Sequence, residues 1–250
     1  MKRVSIALTL VVVSVASAQA QAVQRWSGFY LGLNGGYGWA GLETTDTYLS
    51  TAGSVFGIRP TTTAKYPSAA SSNSFRDVCA GVQVGYNWQS DGFVAGVEAD
   101  IDVANLQRSS TFLGSAKGPT YTIGANLDHF GTLRAKLAYA TSDFLVYGTG
   151  GLAYGQGGGD VSITPGTPSS PGTGGPYIGA DSHAHVGFVY GGGFEIAVTD
   201  TISLKAEYLH MDLGKQEYTF NLSPAPDGSF VKSDEAFVID IVRAGMNAKF

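Results

Sequence analysis

Cysteine is almost absent from this 250-residue chain. Cys79 is the single cysteine, so no disulfide can form within the chain. Stability in an oxidising compartment must therefore come from other interactions. The alternation of small and apolar residues around Cys79 predicts an inward-facing side chain on a strand rather than a reactive thiol.

Basic residues are also few, and they form no cluster. The chain has 15 Lys and Arg against 20 Asp and Glu. A basic patch is the usual mark of a nucleic-acid-binding protein, so nucleic acid is not an expected partner. The sequence lacks Gly-x-Ser-x-Gly, and the glycines at 148–151 lack the Lys-Ser/Thr of a phosphate loop. We therefore expect a non-enzymatic protein without a cofactor.

Hydrophobic runs of membrane-helix length are absent. The first residues instead combine Lys2 and Arg3, an apolar run over 4–15 and small-residue cleavage motifs, which is the pattern of a secretory signal peptide. The run is shorter than the ~20 residues of a spanning helix, which argues against an uncleaved anchor. We predict a signal peptide over 1–22, cleaved after Ala20 or Ala22, and an exported protein over 23–250.

The chain is instead rich in glycine and aromatic residues, and its apolar residues recur at every second position. Glycine contributes 35 residues, and aromatic residues make up 12% of the chain. Strict alternation of apolar and polar residues is typical of strands. The pattern predicts eight strands, at 29–40, 78–88, 93–103, 129–140, 144–154, 185–198, 201–211 and 237–250.

The predicted connections alternate in length. Those after residues 88, 140 and 198 have the size and chemistry of hairpin turns, whereas 41–77, 104–128, 155–184 and 212–236 are long. Short periplasmic turns and long extracellular loops are typical of transmembrane β-barrels, and strands of 9–11 residues can span when tilted. The sequence therefore predicts an all-β, eight-stranded antiparallel transmembrane β-barrel.

The apolar strand faces could instead form the core of a soluble, lipocalin-like barrel, with Glu98, Arg134 and Arg243 in water. Two features favour lipid. The opposite faces are rich in glycine, which suits a crowded lumen, and aromatic residues gather at both strand ends as expected of membrane girdles. The girdle at the short turns would contain Trp26, Phe29, Trp88, Phe93, Tyr139, Phe144, Phe194 and Phe250, and the other Tyr37, Trp39, Tyr154 and Tyr208.

Charged residues on the inward faces fall within one band when residues are counted from the short-turn end. An eight-stranded barrel is just wide enough for its side chains to fill, and buried charges must pair. We predict a network that closes the lumen to all but water or small ions, formed by Glu98, Arg134, Lys205, Glu207 and Arg243. The alternative is that strand tilt separates these residues and they line a wet interior.

Histidines mark the predicted extracellular strand ends. His183 and His185 are two residues apart and so share a strand face. Paired imidazoles can ligate haem iron or a metal ion. Solvated rim histidines are the simpler interpretation, and no metal is assigned.

Five stretches of the chain are specific when taken together, at 26–39, 80–88, 150–155, 205–209 and 242–250. As a set they resemble the Omp25/Omp31 family of small α-proteobacterial outer-membrane proteins. The resemblance implies an eight-stranded outer-membrane barrel. It also implies that the barrel-insertion machinery reads the chain end as a signal, carried by Val242, Ala244, Met246, Ala248 and Phe250. Family members are described as structural surface proteins, porin-like proteins, surface antigens and haem binders.

The combined expectation is a protein of the Gram-negative cell outer membrane that contributes to envelope structure and surface exposure. Outer-membrane lipid, lipopolysaccharide and the insertion machinery are the expected partners. A porin for small solutes and a surface binder of haem or host ligands are the alternatives. The oligomeric state is left open.

Overall fold

The computed structural model of the protein describes residues 25–50, 64–66, 75–113, 120–164, 176–221, 223 and 229–250. The predicted signal peptide at 1–22 lies outside these ranges. No helix in the described ranges is long and apolar enough to cross a membrane.

The described residues form antiparallel strands that close into a ring. The strands are β1 (Gly28–Ser50), β2 (Ala64–Tyr66), β3 (Phe75–Ser90), β4 (Phe93–Leu113), β5 (Thr120–Ala140), β6 (Phe144–Thr164), β7 (Tyr177–Ala197), β8 (Ile202–Asn221) and β9 (Ser229–Lys249). Strands β1 and β3 to β9 pair in chain order, and β9 pairs back to β1. The short β2 pairs with the far end of β1. The predicted eight-stranded antiparallel barrel is therefore confirmed.

The strands are strongly staggered around the ring. A path that starts at Tyr86 on β3 and moves from each residue to its cross-strand partner passes through all the other long strands. It returns to β3 at Arg76, ten residues from its start. A stagger of this kind accompanies the strand tilt of about 35–45° that closed barrels require. Residues at the same count from the strand ends therefore do not lie at the same height.

One end of the barrel carries the short turns. Asp91–Gly92 joins β3 to β4, residues 141–143 join β5 to β6, and residues 198–201 join β7 to β8. Asp91 has a φ of 53°, in the left-handed region that an Asp-Gly hairpin turn requires. The backbone N–H of Phe250 donates to the carbonyl of Phe29 (2.9 Å) at this same end. It is the periplasmic end in barrels of this type.

The outer surface carries a continuous apolar band. Its members are 45–72% exposed and include Leu31, Leu33, Val82, Val97, Leu133, Leu137, Leu204 and Val242. Glu98, Arg134 and Arg243 are meanwhile buried inside the ring. This arrangement is the inverse of a soluble barrel, so the lipocalin-like alternative is wrong.

The strands are longer than predicted, because the prediction of long loops ended each strand too early. Strand β6 continues past Tyr154 to Thr164, and β7 begins at Tyr177 instead of residue 185. Beyond Tyr154 the alternation inverts: Val161 and Ile163 are buried, whereas Asp160 is exposed. An apolar interior and a polar exterior are expected where a barrel leaves the membrane and enters water.

Bulges lie where this change of polarity occurs. The register shifts between Val103 and Leu106, between Leu127 and His129, and between Asp212 and Lys215. An extra residue in one strand changes which positions face inward. As a result Leu127 and Phe130 are both buried, with Asp128 exposed between them.

Candidate functional site in the barrel interior

The middle of the lumen is filled by a group of charged side chains that we call the charge network. Each of its residues is at most 8% exposed. Four are acidic and four are basic, so their formal charges cancel. The members are Glu98, Asp100, Asp102, Arg134, Lys136, Lys205, Glu207 and Arg243.

Two cross-strand pairs anchor the charge network. Glu98 on β4 lies directly opposite Arg134 on β5, and Glu207 on β8 lies opposite Arg243 on β9. Arg134 Nη2 is 2.5 Å from Glu98 Oε1, and Arg243 Nε is 2.6 Å from Glu207 Oε1. In the ring order, β4 and β5 lie opposite β8 and β9. The two pairs therefore face each other across the lumen.

Long basic side chains join the two pairs. Arg134 Nη1 reaches Glu207 Oε2 at 3.1 Å, and Arg243 Nη2 reaches Asp100 Oδ2 at 2.7 Å. Arg243 Nη1 lies 3.0 Å from Asp102 Oδ2. Each guanidinium thus contacts three carboxylates, which is what its fork of N–H donors permits.

The two lysines complete the charge network. Lys205 Nζ lies 2.8 Å from Glu98 Oε1 and 2.9 Å from Glu207 Oε1. Lys136 Nζ lies 3.2 Å from Glu98 Oε2 and about 5 Å from the ring centres of Tyr30 and Tyr147 (5.1 and 4.8 Å), within cation–π range. No charge in the group is left without an opposite charge, as burial requires.

The structure brings together all five charged residues that the sequence analysis placed in the lumen. It adds Asp100, Asp102 and Lys136, which that prediction left out. The signal was present, because Asp100 and Asp102 continue the inward alternation of Glu98 on β4, and Lys136 continues that of Arg134 on β5. The count of heights without tilt placed Asp100 and Lys136 within one step of the predicted band, but the predicted network did not include them.

Tyrosines and glycines support the charge network. Tyr30 Oη donates to Glu98 Oε2 (2.6 Å), and Tyr147 Oη donates to Glu207 Oε2 (3.0 Å). A Cβ at Gly193 would lie 2.8 Å from both Tyr147 Oη and Glu207 Cβ. Glycine at this inward position therefore leaves the space that the network side chains occupy.

A chain of polar groups fills the lumen beside β9, β1 and β3. Asn34 Nδ2 donates to Gln83 Oε1 (3.3 Å), and Gln83 Nε2 donates to Asn247 Oδ1 (2.6 Å). Asn247 Nδ2 and Ser203 Oγ both donate to Glu195 Oε1. These contacts occupy the wall that the ion pairs do not cover.

An apolar layer covers the charge network on its extracellular side. It consists of buried residues from every long strand of the ring except β1, and its members are Cys79, Ala104, Leu127, Phe130, Ala153, Val189, Leu209, Met211, Leu213, Ile239 and Ile241. Cys79 is 6% exposed and faces inward, as its alternation predicted. Water and ions would have to pass this layer to reach the charges from outside.

Trp26 closes the periplasmic side of the lumen. Its assignment to the aromatic girdle was wrong, because it is 5% exposed and packs inside the barrel against Val94, Ala140, Leu145 and Tyr147. Its Nε1–H donates to the carbonyl of Thr141 (3.0 Å). An indole whose N–H finds a partner can be buried at little cost.

Arg25, which precedes Trp26, contacts other parts of the barrel through both its side chain and its backbone, and we call these two residues the N-terminal strap. The Arg25 guanidinium pairs with Asp143 of the β5–β6 turn and with Asp200 of the β7–β8 turn (2.7 Å to Asp200). Lys249 Nζ donates to the carbonyl of Arg25. The strap therefore crosses the mouth of the barrel.

Replacing Arg25 with Ala is expected to loosen the strap without destabilising the barrel. Asp143 and Asp200 are largely exposed, and exposed ion pairs contribute only about 0–1 kcal/mol. We expect faster hydrogen exchange at the Trp26 amide and indole N–H, with urea unfolding of the barrel nearly unchanged. Unchanged exchange at Trp26 would show that Arg25 does not hold the strap.

The remaining aromatic residues predicted for the periplasmic girdle face outward. Phe93 and Tyr139 are in edge-to-face contact (5.7 Å), and Phe29 lies 6.3 Å from Phe250 between ring centres. Phe250 is 79% exposed. The other residues of the predicted insertion signal also face outward, namely Val242, Ala244, Met246 and Ala248.

The two histidines considered as ligands lie on the inner face of β7, beyond the apolar band. His183 Nε2 is 3.0 Å from Asp181 Oδ2, and His185 Nε2 is 2.5 Å from Tyr218 Oη. Both Nε2 atoms are thus engaged by protein groups. In the parts of the chain with described coordinates, no three His, Cys, Asp or Glu side chains are grouped so that they could hold a metal ion.

Acidification is expected to weaken the extracellular end of β7. Burial, followed by the charge of His183, lowers the pKa of His185 below its usual value. The stability contributed by neutral His185 is present above the unfolded pKa of about 6.5 and is lost as the pH falls through the lower folded value. After correction for the slower intrinsic exchange at low pH, the protection of amides in β7 and β8 should therefore fall between pH 7.5 and 5, and less so in a His185→Gln variant.

Comparison with known proteins identifies the class of protein that this fold defines. Residues 8–227 match the family model described as "Outer membrane protein beta-barrel domain". The chain belongs to this family, and it is an outer-membrane β-barrel protein.

Two relatives show which group of outer-membrane proteins the chain is similar to. The chain is 36% identical to the 31 kDa outer-membrane immunogenic protein of Brucella melitensis biotype 1, over 96% of this chain and 91% of that protein. It is 27% identical to the 22 kDa outer membrane protein of Rhizobium leguminosarum bv. viciae, over 93% and 82%. These relatives confirm the resemblance to the Omp25/Omp31 family.

A solved structure agrees with the fold. The crystal structure of the outer membrane protein OprG from Pseudomonas aeruginosa aligns with a TM-score of 0.52 over 90% of this chain and 97% of that chain. The sequence identity is 14%, so this likeness concerns the fold alone.

Proposed function

We propose that this protein is a closed, non-enzymatic outer-membrane barrel that contributes to envelope structure and displays its extracellular end at the cell surface. The observation that carries the proposal is the neutral charge network, which lies between the apolar layer above and Trp26 below. The names of the relatives describe location and immunogenicity, not a reaction.

Electrostatics favours a closed lumen. An ion that entered would have to displace carboxylates and guanidinium groups from partners 2.5–3.1 Å away. Such pairs are poorly screened because their side chains are buried, so separating them costs far more than it would in water. The apolar layer adds a second barrier to hydrated ions.

The proposed partners follow from position. The apolar band would lie in membrane lipid, and closed strand pairing leaves no unpaired edge there. Lipopolysaccharide would meet the extracellular half, and the insertion machinery would read the strand that ends at Phe250. The apolar band and the outward face of that strand support these assignments.

Single-channel conductance of the refolded protein in planar bilayers tests the proposal. The wild type should show no steady conductance, whereas Glu98→Ala and Arg243→Ala should open intermittently because each leaves unpaired charges that draw in water. Leu137→Ala, which removes an outward side chain (72% exposed), is the matched control and should stay closed. Steady conductance in the wild type, barely changed by either substitution, would contradict the closed lumen and indicate a porin instead.

A further inference from the structure

A row of polar and aromatic residues interrupts the lipid-facing surface near the extracellular edge of the apolar band. Tyr190 on β7, His210 on β8, Asp240 on β9 and Trp39 on β1 are successive cross-strand neighbours. Tyr208 lies two residues before His210 on the same face of β8. We call these five residues the outer polar patch.

The outer polar patch faces out of the barrel. Tyr190 and Tyr208 are 52% and 42% exposed. Asp240 lies two residues before the exposed Val242 and therefore on the same outward face of β9. The side chains of His210 and Asp240 each remain 25% exposed. Val78 on β3 and Val103 on β4 are outward and apolar, and the row of cross-strand neighbours continues from Trp39 to Arg76 on β3.

A carboxylate at this position is costly unless something compensates it. Charged residues on the lipid face of a barrel destabilise it, and the cost decreases toward the interface. Ionisable residues in such places are candidates for function, each with a partner to be identified. Asp240 is therefore the residue of the outer polar patch that needs an explanation.

In the described part of the chain, protein groups contact one oxygen of the Asp240 carboxylate. Its Oδ1 accepts from Tyr208 Oη (2.5 Å) and contacts His210 Nδ1 (2.8 Å). Among the described residues, Oδ2 accepts no hydrogen bond and no Lys or Arg pairs with the carboxylate. One strong, oriented acceptor is thus left available at the surface.

Aromatic rings flank this acceptor on both sides. Trp39 and Tyr208 lie 6.5 Å apart between ring centres, and Tyr190 lies 4.9 Å from His210. Phe188 is stacked with Tyr190 at 6.3 Å. A carboxylate that accepts from hydroxyl groups, next to flat apolar rings, is suited to a pyranose sugar, because a sugar has O–H donors at its edge and C–H groups on its face.

We propose that the outer polar patch binds the sugar headgroup of a glycolipid in the outer leaflet. The short turns and the C-terminus lie at the opposite, periplasmic end, which places the patch on the outer-leaflet side. A phosphate group would be repelled by Asp240, whereas sugar hydroxyls would donate to its Oδ2. The inference rests on the proposed contact with lipopolysaccharide and is independent of whether the lumen is closed.

Lipid binding to the refolded full chain in detergent micelles tests this inference. The probe is lipopolysaccharide with a truncated core, and phosphatidylethanolamine and phosphatidylglycerol are the comparison lipids. Asp240→Asn should weaken lipopolysaccharide binding about tenfold, as expected for loss of a hydrogen bond to a charged group. Tyr190→Ala should weaken it less. Asp160→Asn, an exposed acid on β6, is the control and should bind as the wild type does.

The outcomes separate the site from the partner. If the wild type binds lipopolysaccharide no better than the two phospholipids, lipopolysaccharide is not the partner. Binding that Asp240→Asn leaves unchanged would keep the partner and overturn the site. Binding abolished by a chelator would point to a divalent cation and a phosphate instead, and a preference for phosphatidylethanolamine that Asp240→Asn removes would point to an ammonium group. Either result would contradict the proposal that the patch binds a sugar. All variants lie on the outer surface, and their folding can be checked by the shift in gel mobility on heating.

Discussion

Replacing Arg243 with Met is expected to lower the free energy of unfolding of the barrel by about 3–5 kcal/mol, the usual cost of removing one partner from a buried ion pair. Methionine keeps an unbranched stem in place of the arginine stem but removes the guanidinium, and with it three ion pairs at once, those with Asp100, Asp102 and Glu207. The charge network would then hold four acids against three bases. Equilibrium unfolding in urea, with the protein in lipid vesicles, measures the loss.

Three further variants make the Arg243 result specific, namely Lys215→Met, Glu207→Gln and the double variant Arg243→Met/Glu207→Gln. Lys215→Met removes an exposed base from β8 and should change stability by no more than about 0.5 kcal/mol. The double variant Arg243→Met/Glu207→Gln restores charge balance, so its loss should be smaller than the sum of the two single losses. A loss below about 1 kcal/mol for Arg243→Met, or strict additivity in the double variant, would mean that the two residues are not coupled.

Removal of Phe250 is expected to reduce the amount of barrel inserted into the outer membrane several-fold. Phe250 projects outward at 79% exposure. Its backbone N–H pairs with Phe29, which places it at the seam where β9 meets β1. The measurement is the quantity of heat-modifiable protein in isolated outer membranes.

Phe29→Ala is the matched control for Phe250. Phe29 lies beside Phe250 on the same lipid-facing surface, with ring centres 6.3 Å apart, and is 47% exposed. Both changes remove one aromatic ring from lipid, a loss of about 1.5–3 kcal/mol at most. If insertion falls equally in both variants, lost lipid contact explains it and the chain end is not a signal. If the purified chain without Phe250 still refolds in vesicles, the defect lies in recognition.

Much of the barrel was predictable because the membrane imposes a simple pattern on each strand. Leu133 and Leu137 alternate with Arg134 and Lys136, and that period of two defines both the strand and its two faces. Asp91–Gly92 marks a tight turn by its own backbone preference. These are local properties, so a single stretch of sequence is enough to reveal them.

The extracellular third of the barrel was missed for the opposite reason. In β6, Asp160 lies on the face that carries Leu152 within the membrane. The local pattern still alternates there, but its sense is reversed, because the surroundings change from lipid to water. The sequence contains no direct mark of that change, and the bulges at Asp128 and near Gly214 disturb the alternation at the same level.

The sequence by itself determined the strand faces, the periplasmic turns, the outer-membrane location and the set of charges that point inward. Only the tertiary structure decided which charges meet, because this depends on the ten-residue stagger of the ring and on which strands lie opposite each other. The tertiary structure also decided that Trp26 faces inward and that one row contains Tyr190, His210, Asp240 and Trp39. Faces follow from the geometry of one strand, whereas contacts across a lumen or along a row depend on the closure of all eight.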